Sequence, residues 1–327
     1  MSVLPLNYYS TVEDDGRSEE EKLLAFEAKI NRGEKIEPTD WMPERYRKQV
    51  MRMVQNHGNS EIVGALPERE WIPHAPTFKR KLALTAKVQD EVGHAQLLYR
   101  VVETLGKPRE VIIEELLNGT AKYSNVFNYA PETWADVGVI AWLIDAAAII
   151  RQLLLREGSY GPYSRALKRI CYEESFHLKH GYDICVTLAL GTSTQREMLQ
   201  DALNRWWEPI LGFFGPPDND SVHTSELMRW RVKLKTNDAI RQEFLDQYVP
   251  KIWELGLTLP DPKLCKDEQT GVWHYTEPDW DEFKRVIQGH GPCNAKRIAV
   301  RRMAHEDGEW VRRALAAAEH NESIPVH

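Results

Sequence analysis

Cysteine is scarce in this sequence. The four cysteines, Cys171, Cys185, Cys265 and Cys293, lie far apart and none belongs to a CxxC pair. This spacing matches neither a disulfide framework nor an iron–sulfur or zinc motif. The plain interpretation is a protein whose thiols stay reduced in the cytoplasm.

Several other signals are also missing. The N-terminal segment MSVLPLNYYSTVEDDGRSEEE has no basic start followed by an apolar run, so no secretion signal is predicted. The best apolar stretch, Val137 to Ile150, contains Asp145 and is too short for a membrane span. The formal net charge of -7 argues against nucleic acid and anionic membrane surfaces as partners. Without a GxGxxG motif or a P-loop, any electrons must come from a separate protein.

Strand patterns are nearly absent, and helical periodicity covers most of the chain. Only the segment GVWHYTEPDW suggests a small hairpin. Residues 1–17 are predicted to be a poorly ordered extension, and residues 18–327 to form one all-α domain with a C-terminal helical extension. Its core helices are predicted over residues 43–66, 77–105, 133–157 and 162–190, with further helical patterns over 194–214, 237–255 and 294–318.

Two of the long helical patterns carry the same short motif. The first is DEVGH, which contains Glu91 and His94, and the second is EESFH, which contains Glu174 and His177. Residues at positions i and i+3 share a helix face, so each Glu–His pair can bind one metal ion. Carboxylate and imidazole ligands suit iron or manganese, and di-iron helical bundles use this pair on two of their helices.

Such a bundle also needs one carboxylate from each of the other two helices. Glu61 lies 30 residues before Glu91, and Asp145 lies 29 residues before Glu174 (91 − 61 = 30; 174 − 145 = 29). The alternative is that these acids are solvated beside ordinary surface histidines. Asp145 argues against it, because an isolated carboxylate in an apolar helix is costly unless it binds a metal or a buried cation.

Three further residues adjoin the motifs. Asp90 precedes His94 by four residues and Glu173 precedes His177 by four, so each acid is expected to accept the second ring N–H of the histidine on its own helix. Lys87 precedes Glu91 by four residues. It could be a salt-bridge partner or a proton donor, and the pattern does not decide between these roles.

A di-iron carboxylate centre can store iron, oxidise it, reduce peroxide or activate O₂ for insertion into a substrate. The ligand pattern alone does not choose among them. Basic residues in ERYRKQVMRMVQN, together with Lys122 in KYSNVFNY, could bind a phosphate-bearing ligand or could form a solvated face.

The chain resembles a known family in segments that extend from about residue 20 to about residue 318. Sequences such as AKVQDEVGHAQ, WADVGVIAWLIDAAAI, SYGPYSRALKRICYEESFH and MLQDALNRWWEPIL are similar to those of the catalytic subunits of bacterial ring-1,2-phenylacetyl-CoA epoxidases. The resemblance implies a ferritin-like four-helix bundle with additional N- and C-terminal helices. It also implies a monooxygenase of phenylacetate catabolism that uses O₂ and NADPH-derived electrons to epoxidise the aromatic ring of phenylacetyl-CoA.

The resemblance also implies roles for individual residues. Lys87 matches the active-site lysine of the family, and Asn56 stands where the family is expected to have glutamine. The implied iron ligands are Glu61, Glu91, His94, Asp145, Glu174 and His177. The implied contacts to the CoA substrate are Arg52, Asn56, Lys122, Phe127 and Asn128.

The implied cofactors are two iron ions, with NADPH, flavin and an Fe–S cluster used through a separate reductase. The implied partners are a catalytically silent ferritin-like subunit, small accessory subunits and that reductase. Three alternatives stay open: another aromatic acyl-CoA such as benzoyl-CoA, a ferritin-like protein that oxidises or stores iron, and the non-catalytic scaffold subunit of the same complex.

Overall fold

The fold is described from a computed structural model, over residues 16–217 and 224–322. Helices dominate these residues, and the predicted all-α ferritin-like class is confirmed. The helices are α1 (Glu19–Asn31), α2 (Glu44–Arg69), α3 (Phe78–Glu103), α4 (Arg109–Leu117), α5 (Trp134–Val139), α6 (Asp145–Arg156), α7 (Gly161–Ala189), α8 (Ser193–Phe213), α9 (Thr224–Arg229), α10 (Asn237–Glu254), α11 (Trp280–Arg285), α12 (Asn294–Asp307) and α13 (Glu309–Glu322). A 3₁₀ turn covers Asn125–Asn128, and π-helical segments cover Ile140–Ile144 and Val286–His290.

Two helical hairpins form the central bundle. In the first, α2 packs along α3, and in the second, α5 and α6 pack along α7. The two hairpins meet where α3 contacts α7. A large apolar core lies between the second hairpin, α8 and α10, and another lies between α1, α2 and α3. Apolar burial on both sides therefore fixes the four helices around a common centre.

The helix α2 extends further than the sequence predicts. Pro67 suggests an end near residue 66, but α2 continues through Pro67 to Arg69. A proline inside a helix removes one backbone hydrogen bond. Here Leu66, Pro67 and Glu68 are all buried, so packing outweighs that loss. Because α2 ends at Arg69, Glu61 lies about two turns before the end of the helix. At this position it lies beside Glu91 and His94 of α3.

The second hairpin contains the most apolar part of the chain. Together α5, the π-helical segment Ile140–Ile144 and α6 form a 23-residue helix that is long and apolar enough to cross a membrane, and it extends beyond both ends of the predicted apolar stretch Val137 to Ile150. Most of this helix is buried inside the bundle, as in the core helix of a soluble protein. Close packing at the π-helical segment depends on Gly181 of α7, because a Cβ atom there would overlap the backbone of Ala141 and Trp142.

Smaller predictions have mixed outcomes. The helix predicted over 294–318 is divided at Gly308 into α12 and α13. The predicted hairpin segment does form a strand, Trp273–His274, but its antiparallel partner is the earlier pair Cys265–Lys266. Nearly all of the predicted N-terminal extension, residues 1–17, lies outside the described residues.

Candidate metal centre

The structure brings the six predicted metal ligands together in the middle of the bundle. Their ligand atoms form two groups, and within each group all the atoms lie within 4.8 Å of one another. All six side chains are buried, and Glu174 belongs to both groups. The first group is Glu61, Glu91, His94 and Glu174, and the second is Asp145, Glu174 and His177.

Both histidines turn the Nδ1 atom towards the carboxylates. The Nδ1 atom of His94 lies 3.7 Å from Glu61, 3.7 Å from Glu174 and 3.8 Å from Glu91, and it is buried without a hydrogen-bond partner. The Nδ1 atom of His177 lies 3.1 Å from Glu174 and 3.4 Å from Glu91. Glu91 and Glu174 therefore face both histidines.

The outward Nε2 atom of each histidine contacts an acid on the other helix. His94 on α3 pairs with Glu173 on α7 at 3.0 Å, and His177 on α7 pairs with Asp90 on α3 at 3.2 Å. The expectation that each acid would hold the histidine on its own helix was therefore wrong. Because α3 and α7 pack side by side, the outer acid of one helix reaches the ring of the other more directly. Such an acid fixes the orientation and tautomer of a ligand histidine.

In the metal-free protein, protonated histidine rings supply positive charge among the ligand carboxylates. Burial alone would lower the pKa of His94, but the interaction with Glu61, together with the charges of Glu174 and Glu91, raises it to about 9. Burial also opposes the charged form of His177, whose pKa is raised to about 11 by Glu174 and Glu91. A buried cluster of carboxylates stabilises any positive charge placed among them, whether on a ring or on a metal ion.

Lys87 neutralises part of this negative charge. Its Nζ atom lies 2.7 Å from Glu91, 2.9 Å from Glu68 and 3.2 Å from Asp145. Burial alone would lower the pKa of Lys87, but Asp145, Glu68 and Glu91 raise it well above its ordinary value. Lys87 is thus a buried, charged partner of two ligand carboxylates, which agrees with the salt-bridge alternative and leaves its chemical role untested.

The sequence interpretation missed Glu68 and a chain of polar side chains behind Glu61. The Nε2 atom of His57 lies 2.7 Å from Glu61, and its Nδ1 atom lies 2.8 Å from the hydroxyl of Tyr163. Gln152 lies 3.3 Å from the same histidine. Helical spacing could have indicated two of these residues, since His57 precedes Glu61 by four residues and Glu68 follows it by seven.

A cavity of about 310 Å³ adjoins the ligand cluster; we call it the inner chamber. Glu61, Glu91, Asp145 and Glu174 face it from one side, together with Lys87. Aromatic and aliphatic side chains form much of the remaining wall. They include Phe127, Ile140, Ile144, Ala148, Leu155, Phe213, Phe214, Phe283 and Ile287. The inner chamber can therefore hold an apolar group beside the ligand carboxylates.

A second cavity, of about 750 Å³, shares part of its wall with the first; we call it the outer chamber. Its lining is rich in cations, and Glu115 is the single acid among the described residues that form it. The cations are Lys48, Arg52, Lys107, Lys122, Arg151 and Lys233. Such a lining suits a ligand that carries several phosphate groups.

The predicted substrate contacts distribute unevenly over the two chambers. Asn56 and Lys122 line both chambers, Arg52 lines the outer one and Phe127 lines the inner one. Asn128 lines neither of them. Its buried amide donates to the carbonyl groups of Ser124 and Asn125, because it closes the 3₁₀ turn. Asn128 therefore supports the wall that carries Phe127.

The ligand cluster fits a di-iron site. Its donors are carboxylate oxygens and imidazole nitrogens without sulfur, which is the donor set of non-haem iron or manganese. Two overlapping groups that share Glu174 match a pair of ions, and the Nδ1 atom of His94, unpartnered within the described residues, is free to coordinate a cation. Buried polar atoms rarely stay unpaired in folded proteins.

Comparison with known proteins agrees with this geometry. The chain is 50% identical over 292 residues to a 1,2-phenylacetyl-CoA epoxidase subunit of Escherichia coli (strain K12). The alignment covers 89% of this chain and 94% of that protein. A family model described as phenylacetic acid catabolic protein matches residues 12–310. A match of this extent includes all four helices of the bundle and every ligand, and the chain belongs to the phenylacetic acid catabolic protein family.

Proposed function

We propose that this chain is the iron-binding catalytic subunit of a monooxygenase that epoxidises the aromatic ring of phenylacetyl-CoA in phenylacetate catabolism. The observation that carries the proposal is the complete buried ligand set beside a cavity that leads into a basic chamber. A scaffold subunit has no need of six ligands and their orienting acids. The similar Escherichia coli protein bears the name of such an epoxidase.

The ligands would be Glu61, Glu91, His94, Asp145, Glu174 and His177. When bound, the irons would supply the reduction of O₂, with one oxygen atom entering the ring and the other leaving as water. The chain itself contributes the pocket. The apolar wall of the inner chamber excludes water from the aromatic ring.

The substrate would span both chambers. Cations of the outer chamber, among them Arg52 and Lys122, would bind the phosphates of the CoA portion. Binding energy gained there, far from the reacting carbon, holds the ring in place. Lys87 would be the active-site cation, placed at 2.7 Å from Glu91, where it can hold a proton close to the ligand carboxylates.

The remaining components would be separate proteins. We propose that electrons pass from NADPH through a flavin and Fe–S reductase, because the sequence of this chain contains no motif for either group. The Escherichia coli relative is named as one subunit of its epoxidase, which indicates a complex of several chains. Small accessory subunits and a silent ferritin-like partner would complete it, in the cytoplasm, with residues 18–327 of this chain acting as one domain.

The first test is turnover of phenylacetyl-CoA under ¹⁸O₂ by the complex co-purified with its partners, supplied with reductase and NADPH. One labelled oxygen atom in a ring-epoxidised CoA ester, found by mass spectrometry, is the expected result. Turnover of benzoyl-CoA in its place would change the substrate and leave the chemistry standing. Iron oxidation without an organic product, from an assembled and iron-loaded complex, would contradict the oxygenase.

A further inference from the structure

Arg151 stands where the two chambers meet. It lies on α6, six residues after the ligand Asp145, and its side chain lines both the inner and the outer chamber. At 1.5 Å per residue, this places its backbone about 9 Å from that of Asp145 along the helix. A ligand that extends from the phosphate-binding cations to the metal ligands must pass this side chain.

Within the part of the chain that the structure describes, the guanidinium of Arg151 has no counter-charge. Among residues 16–217 and 224–322 no carboxylate forms an ion pair with it, and its group stacks over the ring of Phe213, 5.8 Å from the ring centre. Desolvation lowers its pKa. Two buried arginines elsewhere are fully engaged, since Arg241 contacts Asp238 and two carbonyl groups, and Arg297 donates to the carbonyl groups of Phe127 and Tyr129. The half-buried Arg151 instead presents its N–H donors to both chambers, where a ligand can supply the acceptor.

The position selects the kind of acceptor. The multiply charged phosphates are served by the several cations of the outer chamber, whereas the wall shared by both chambers holds two cations, Arg151 and Lys122, beside Met53, Leu155 and Phe214. The guanidinium of Arg151, set against the ring of Phe213, suits one neutral, polarised oxygen. In an arylacetyl-CoA, that oxygen is the thioester carbonyl, which lies between the ring and the phosphate-bearing chain.

We infer that Arg151 donates a hydrogen bond to the thioester carbonyl oxygen of the acyl-CoA substrate and sets how far the aromatic ring enters the inner chamber. The inference rests on the proposed function and adds a specificity-determining residue to it. One methylene separates ring and carbonyl in phenylacetyl-CoA, whereas none does in benzoyl-CoA. A fixed carbonyl therefore holds the two rings at different depths beside the ligand cluster.

The test measures binding of three ligands to the iron-loaded complex by calorimetry. They are phenylacetyl-CoA, the thioether S-(2-phenylethyl)-CoA, which lacks the carbonyl, and free CoA. In Arg151→Gln, affinity for phenylacetyl-CoA is expected to fall about 10- to 100-fold, as for loss of a hydrogen bond to a charged group. Affinity for the thioether and for CoA is expected to change less than about twofold. Arg52→Gln is the matched control and should weaken all three ligands equally.

The decisive quantity is the ratio of the thioester affinity to the thioether affinity. Both affinities are measured on the same variant, so a folding defect lowers both and leaves their ratio unchanged. Arg151→Lys retains the charge but loses the planar fork, and its ratio is expected to fall between those of the wild type and Arg151→Gln. An equal loss for all three ligands would assign Arg151 to the CoA portion and overturn the inference, and so would an unchanged ratio in both variants. Failure of the proposed function looks different, because the wild-type complex itself would then bind no acyl-CoA.

Discussion

Each ligand histidine is held by an acid from the neighbouring helix. The bonds from His94 to Glu173 and from His177 to Asp90 join α3 to α7 across the metal centre. Motif spacing could identify all four residues, because they recur as acid-acid-x-x-His. Spacing could not identify the crossed pairing, which depends on how two helices pack and not on either helix alone.

We expect Asp90→Asn and Glu173→Gln each to weaken iron binding about 10- to 100-fold, because each removes the acid that orients one ligand ring. Iron content after dialysis and Mössbauer spectra of the loaded complex measure the effect. The spectra should show a different iron perturbed in each variant. Asp183→Asn is the control, since Asp183 pairs with Lys179 on the exposed face of α7. If both variants perturb the same iron, the crossed pairing is wrong.

Lys87 provides a second prediction at the scale of single residues. In Lys87→Met the carboxylate of Glu68 is left buried without its cation, so the metal-free protein should lose about 3–5 kcal/mol of unfolding free energy. Adding Glu68→Gln removes the orphaned charge and should restore part of that stability, as urea titration can measure. Turnover of the double variant then separates the two roles. Normal turnover would reduce Lys87 to structural support, whereas a stable but inactive enzyme would establish a chemical role.

Metal loading should release protons. The pKa values of His94 and His177, about 9 and about 11, lie above neutral pH, so both rings hold an extra proton at pH 7 in the metal-free protein. Each must lose it to bind a metal, so affinity should rise with pH through about 9 towards about 11 and fall on acidification. Titration of iron(II) in a weakly buffered anaerobic solution should show proton release from both histidines, to which Glu61 and Asp145 add because burial raises their pKa values as well. His177→Ala should release about one fewer, and loading without a change in pH would contradict the assignment.

At the scale of elements, the second hairpin shows the closest packing, where α7 contacts the backbone of the π-helical segment Ile140–Ile144. Helical periodicity is sufficient to place α5, α6 and α7 within a few residues of their observed limits. It cannot reveal the π-helical segment Ile140–Ile144, because the segment is apolar on all sides and no face of it is distinguished. The continuation of α2 through Pro67 is missed for a related reason, since burial of the neighbouring residues overrides a local preference.

Gly181 tests this packing directly. In Gly181→Ala the new methyl group would overlap the backbone of Ala141 and Trp142, so α7 must shift away from the π-helical segment. We expect a loss of about 1–3 kcal/mol in unfolding free energy and a lower melting temperature. Gly93→Ala on α3 is the matched control, because open space surrounds that position and alanine favours the helix. Equal melting temperatures for the two variants would show that the contact is not tight.

At the scale of the whole molecule, stability is concentrated in the bundle and in α8 and α10, while the C-terminal end contributes little. Every described side chain of α13 is exposed, including Trp310 at 72%. The ligand set and the helical class could be predicted from the sequence because they follow from short, periodic patterns. The two chambers could not, since residues from α2, α6, α8 and α10 form their walls, together with the connections near the 3₁₀ turn.

Removal of residues 309–327 should therefore leave the metal centre intact. We expect the truncated protein to bind the same amount of iron and to melt within about 2 °C of the full chain, because little apolar surface of α13 is buried. Differential scanning calorimetry and iron analysis provide the measurements. A large fall in melting temperature would mean that α13 supports the fold.

The π-helical segment that directly precedes Asp145 also affects how this protein can evolve. Such a segment holds one residue more than the regular helix. Loss of a single codon there would restore the regular helix and rotate the residues on one side by about 100° relative to the other. Asp145, which directly follows the segment, would leave the cluster while the apolar helix kept its character. One in-frame deletion in a duplicated gene would thus give a helical protein in which Asp145 no longer joins Glu174 and His177.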